Sequence, residues 1–132
     1  MRPIKNLLAP KTLLLLALVY LVVISIAFLI PGRAIPTTQL PLDKVVHIGI
    51  HAVLLFVWAL YFFKKNDNTL TGNTLLLIGV ACFLYGIIIE VLQESLVALR
   101  HSDFLDLVAN SIGILLGAIV FYKAKHYFKN QK

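Results

Sequence analysis

"TLLLLALVYLVVISIAFLI" fills residues 12–30, a run without a single charged side chain. An α-helix rising about 1.5 Å per residue carries such a run across roughly 28 Å, close to the ~30 Å hydrocarbon core of a bilayer. It is apolar on every face, whereas a helix on the surface of a soluble domain is apolar along one stripe only. Three further apolar runs of similar length follow, at residues 45–63, 74–92 and 104–122. The pattern predicts an all-α integral membrane protein, a bundle of four transmembrane helices forming one domain over residues 1–132. Composition agrees: 60% of the residues are hydrophobic and 14% charged, so lipid rather than water is the solvent for most of the chain. The first run follows Arg2, Lys5 and Lys11, as a secretory signal would. It is longer than a signal core, and "PGRAIP" (31–36) lacks a small-x-small cleavage pattern, so a retained first span is expected. Cys82 is the sole cysteine, which excludes an intrachain disulfide framework and fits a small core residue.

The formal charge of +6 is placed asymmetrically. Nine of the twelve basic residues lie on one side of the expected membrane: Arg2, Lys5 and Lys11, Lys64 and Lys65, then Lys123, Lys125, Lys129 and Lys132. Arg33, Lys44 and Arg100 fall on the other. The positive-inside rule therefore predicts cytoplasmic N and C termini. The basic tail is an orientation signal that can meet anionic lipid heads, and no nucleic-acid partner is expected. The acids are distributed in the opposite sense. Asp67 alone faces the cytoplasm, while Asp43, Glu90, Glu94, Asp103 and Asp106 gather at the outer side.

That outer polarity begins at "DKVVHIGIH" (43–51), the mouth of the second apolar run. At 100° per residue Asp43, His47 and His51 fall within about 80° of one another and form one stripe. In the third span Gly79, Gly86, Glu90, Gln93 and Val97 share a face, and in the fourth Asp103, Asp106, Asn110, Gly113 and Gly117 share another. "GILLG" (113–117) supplies a small-xxx-small seam for close helix approach. Counting rise per residue puts Glu90 roughly 24 Å from the start of its span, with His47 and Asn110 at a comparable level. A charge facing lipid costs roughly 3 kcal/mol even on the lenient insertion scale, so three polar stripes at one height predict a shared cavity, open to the outer side.

Each residue also has a plainer reading. Asp43 and Asp103 stand at helix starts, where an acid caps free N–H groups, and "PLD" (41–43) makes Asp43 the expected cap. Capping does not account for Glu90, far along its helix, which requires a partner such as Arg100, His47 or Lys44. Arg100 offers a planar fork suited to phosphate or carboxylate, or else an internal clamp on Glu90 or Asp103. His47 beside Glu90 is suited to acid–base work, or to a packed interhelical hydrogen bond. Asn110 and Gln93 read as interhelical hydrogen-bonders. His47 and His51 have the i, i+4 spacing of zinc ligands, completed by Glu90, Asp103 or Asp106, but two histidines are weak grounds and no metal is assigned. There is no phosphate loop, nucleophile elbow or cofactor fingerprint, and no cofactor is expected. The segment "QESLVALRHSDFLD" (93–106) either extends the third span by two turns or folds along the surface.

Three motifs, "DKVVH" (43–47), "GIIIEVLQ" (86–93) and "RHSDFLDLVANSIGILLG" (100–117), resemble the VanZ-like family in order, spacing and side of the membrane. One departure is that aromatics commonly follow the family histidine, whereas Ile48 and His51 stand there, so His51 is not carried over. The resemblance implies a small multi-pass protein of the bacterial inner membrane, linked to teicoplanin resistance. The expected function is to bind or protect an anionic lipid, a lipid-linked envelope precursor or the lipoglycopeptide itself, with homo-oligomerisation left open. The residues expected to line that site are Arg100, Lys44, Asp43, Gln93, Asp103, Asp106 and Asn110. The alternative is a membrane-embedded hydrolase or transferase on a lipid head group, with Glu90 and His47 as acid–base pair. Proton-coupled transport would need titratable side chains reaching the cytoplasmic half, and Glu90 and His51 are the deepest.

Overall fold

A computed structural model describes residues 6–30, 42–97 and 103–129. Among these the chain forms four long helices: α1 (Pro10–Leu29), α2 (Leu42–Lys65), α3 (Gly72–Leu96) and α4 (Phe104–Lys129). All four are long and apolar enough to cross a membrane, the mark of a multi-pass membrane protein. Apolar side chains such as Leu15, Val22, Leu76, Leu77, Leu115 and Ile119 point outward. In water that would be a defect, but lipid tails solvate them as well as a protein core would.

Local chemistry sets the boundaries. Pro10 opens α1 at a position whose missing N–H costs nothing. Between α2 and α3, Asp67 and Asn68 adopt positive φ (51° and 61°), which short polar side chains tolerate better than apolar ones do. Thr71 caps α3, its hydroxyl accepting from the Thr74 N–H at 3.2 Å. α2 begins at Leu42, so Asp43 lies inside the first turn rather than at the cap expected for it; there it still faces the positive end of the helix dipole. α3 runs about one turn beyond residue 92, ending at Leu96, which is shorter than the two-turn extension considered. The remainder of that segment, residues 98–102, lies outside the described residues, as does the proline-containing stretch 31–41.

α2 is the central helix and packs against the other three; α1 and α4 occupy opposite corners. The dominant interface joins α2 to α4, which run in the same direction. Its cause is the glycine seam: Cβ atoms placed on Gly113 and Gly117 would collide with the backbone carbonyls of Ile48 and Ala52, so only glycine permits this approach. α3 runs antiparallel between them, with Gly79 meeting Leu55 of α2 and Ile114 of α4. One end of the bundle is filled by Leu13, Ala59, Leu60, Tyr61, Phe63 and Phe121, with Phe121 set edge-on against Phe56 and Phe63. A second apolar layer contains Ile24, Leu54, Leu55, Ile78 and Cys82, which places the cysteine in the core as expected.

Candidate functional site

The other end of the bundle is polar. The N-terminal ends of α2 and α4 and the C-terminal end of α3 all arrive there, carrying six buried polar side chains: His47, His51, Glu90, Gln93, Asp106 and Asn110. Their positions follow from the three stripes in the sequence. The i, i+4 repeat of α2 stacks the rings of His47 and His51 nearly parallel, with centroids 6.4 Å apart.

His47 is the hub, with no exposed surface. Its Nδ1 lies 2.9 Å from Asn110 Oδ1 on α4 and 3.8 Å from Glu90 Oε1 on α3. An amide oxygen and a carboxylate on the same side favour a proton on Nδ1, which then donates to Asn110. The opposite nitrogen, Nε2, is buried with no hydrogen-bond partner, 3.9 Å from Asp43 Oδ1. The residues expected to share one level, His47, Glu90 and Asn110, thus come together.

Nearer the end of the bundle sits a charged rim. The Lys44 ammonium donates to Asp103 at 2.5 Å and also to Asp106. Asp103 additionally accepts from the Leu105 N–H at 2.8 Å, so it caps α4 and binds a lysine from α2 at once. The Lys44 ammonium, followed by that backbone N–H, holds the Asp103 carboxyl below the usual carboxylate range. Lys44 was a candidate partner of Glu90 and a candidate anion holder. The structure instead commits it to two aspartates. Arg100, the other expected anion holder, lies outside the described residues.

Two expectations need amendment. The polar cluster was expected from the second, third and fourth spans alone, but α1 also contributes. The Phe28 ring packs on His47 with centroids 4.7 Å apart, and the Gln93 amide donates to the Phe28 carbonyl at 2.9 Å. That carbonyl belongs to the last turn of α1, where no intrahelical donor remains for it, so Gln93 completes the helix end. Tyr20 and Ser25 extend the link, with Tyr20 donating to the Ile50 carbonyl at 2.9 Å and Ser25 sharing a 2.9 Å bond with Tyr85. Nothing in the pattern of α1, apolar all round, singled out Phe28, because its part is played by a ring and a backbone oxygen.

The second amendment concerns the His47/His51 zinc pair. His51 Nδ1 donates back to the His47 carbonyl at 3.1 Å. Its Nε2 points at Gly86, where an added Cβ would sit 3.1 Å from it and 2.8 Å from Asn110 Nδ2. His51 therefore turns its Nε2 toward α3, and it is not among the ligand atoms of Asp43, His47 and Asp106 that gather nearby. Gly86 is the gap into which both side chains fit.

Beside this cluster an apolar groove of about 320 Å³ opens between α1, α2 and α3, lined by Leu21, Leu54, Trp58, Ile78, Cys82 and Tyr85 among others. Tyr85 joins the two regions, its ring centroid 6.2 Å from that of His51. No family model, curated protein or solved structure matches the chain.

Proposed function

We propose that this chain is a VanZ-like protein of the bacterial inner membrane that engages a lipidic envelope molecule at the outer leaflet. Its termini are cytoplasmic and its polar end faces outward, in keeping with the charge asymmetry. The ligand is an anionic lipid, a lipid-linked envelope precursor or an acylated glycopeptide such as teicoplanin. One observation carries this reading: a buried polar cluster with a charged rim adjoins an apolar groove, so that one site offers contacts to a head group and to a chain. Lys44 supplies positive charge at the rim in this reading by exchanging an aspartate for the ligand, and Arg100 is the second cation that the sequence offers it.

The second reading is a hydrolase or transferase acting on a lipid head group. It is favoured by His47, whose Nδ1 is engaged by Asn110 and whose Nε2 is left as a buried base. Glu90 on the Nδ1 side would stabilise the imidazolium formed when Nε2 takes a proton.

The test compares cells producing wild type, Glu90→Gln or Asn110→Ala at equal membrane levels, measuring teicoplanin tolerance and the lipid profile. Tolerance that is lost in the variants without a lipid change supports binding. A head-group species that appears with wild type and disappears with Glu90→Gln supports catalysis. If wild type confers neither effect, or folded variants retain all of it, the site has no such role.

A further inference from the structure

The polar end contains a second arrangement, which shares His47 Nε2 with the hydrolase reading and gives that nitrogen a different use. Asp43, His47 and Asp106 each offer one ligand atom, and the three atoms lie within 4.8 Å of one another. Acids gathered at a helix start are common and by themselves indicate nothing. What distinguishes this group is the histidine. His47 Nε2 is fully buried, makes no hydrogen bond among the described residues and faces Asp43, whose Oδ1 lies at 3.9 Å. The Asn110 oxygen on Nδ1 leaves the lone pair on Nε2, and a hydrogen bond of this kind from the remote ring nitrogen is what orients metal-binding histidines generally.

The geometry points to a divalent transition-metal site formed by His47 Nε2 and the carboxylates of Asp43 and Asp106. Ligand atoms about 2.1 Å from a shared ion stand roughly 3–4 Å apart, so the atoms gathered within 4.8 Å here would have to draw together on binding, the Asp43–His47 separation of 3.9 Å already being in range. The charges are favourable too, because Lys44, which binds Asp103 and Asp106, supplies one positive charge against three aspartates once Asp43 is counted. Asp106 can serve both cations, since a carboxylate has two oxygens and about four lone-pair directions.

One nitrogen and two carboxylates suit Zn²⁺, Mn²⁺ or Co²⁺ better than Ca²⁺, which takes six to eight oxygens. Three protein ligands leave coordination positions open, the pattern of sites that bind an exogenous oxygen. This set differs from the His47/His51 pair suggested by spacing. His51 does not join this set, because its Nε2 points at Gly86 and it is not among the ligand atoms gathered within 4.8 Å. The inference rests on this geometry alone and does not depend on the lipid reading.

The experiment adds Co²⁺ to the purified, chelator-treated protein in detergent micelles, following visible ligand-field absorption and then displacement by Zn²⁺. One ion per chain is expected. Asp43→Asn, at the half-exposed rim, is expected to keep wild-type helicity and melting while losing the absorption. Asn110→Ala, which touches no ion, is expected to weaken binding by about 10- to 100-fold. Glu94→Gln, on an exposed position outside the cluster, is expected to bind as wild type does. Absence of stoichiometric uptake by wild type, or unchanged uptake by folded Asp43→Asn, overturns the proposal.

Discussion

The two ends of α2 are built on opposite principles. Around Ala59, Leu60 and Phe63 the helix is held by shape, with rings meeting edge to face and no polar atom required. Around His47 and His51 it is held by a few directed bonds, and three buried polar atoms there, His47 Nε2, His51 Nε2 and Gln93 Oε1, have no hydrogen-bond partner. A bundle in lipid gains nothing from burying polar groups it could have done without, since each unsatisfied one has an energetic cost. The apolar end therefore serves stability, and the polar end carries a cost that the proposed binding or chemistry would account for.

The sharpest way to break this contrast is to cut each end in turn. Phe121→Ala, which empties the aromatic layer, is expected to lower unfolding free energy by about 3–4 kcal/mol and to leave metal uptake intact. A denaturation series on the purified bundle with Co²⁺ binding measured in parallel checks it. Asn110→Ala removes one interhelical bond and is expected to cost less, about 1–2 kcal/mol, yet to remove most site function. If the two variants exchanged these profiles, the division of labour between the ends would be wrong.

Gln93→Leu sharpens the comparison further. It gives up the bond to the Phe28 carbonyl and also removes the buried, unbonded Oε1. The two changes oppose each other, so a net effect within about 1 kcal/mol of zero is expected in the same denaturation assay.

Acid gives the smallest effect. Because Lys44 holds the folded-state Asp103 carboxyl below its ordinary range, the stability from this bridge is complete above that range. It fades as pH falls through the depressed value, below about pH 4. Asp103→Asn should remove this slight low-pH slope in thermal melts and lower stability a little at neutral pH, where the bridge is complete, the loss being small because Asp103 is at the exposed rim.

Much of this arrangement was legible in the sequence, for reasons that mark where legibility stops. Four spans could be counted because a helix without a polar face has one comfortable solvent. His47, Glu90 and Asn110 could be brought to one level because rise per residue is constant and each occupies the buried stripe of its own helix. The glycine seam was visible because small residues four apart have few other uses in lipid. Pairing among titratable groups was not legible. Lys44 chose Asp103 and Asp106 over Glu90, and His51 turned to its own helix, because these choices depend on differences of an ångström or two that spacing does not resolve. The part of α1 was invisible for another reason: Phe28 contributes a carbonyl, which every residue has.

The backbone contact at Gly113 and Gly117 has a consequence for access. Two helices in register at that distance cannot slide or spread without leaving their seam, so α2 and α4 form a fixed wall. Any widening must come from the other pair, where the latches are the Gln93–Phe28 and Ser25–Tyr85 bonds. On the lipid reading proposed above, a molecule dissolved in the bilayer would enter between α1 and α3, and a covalent tether between those two helices would leave the fold standing while blocking that route.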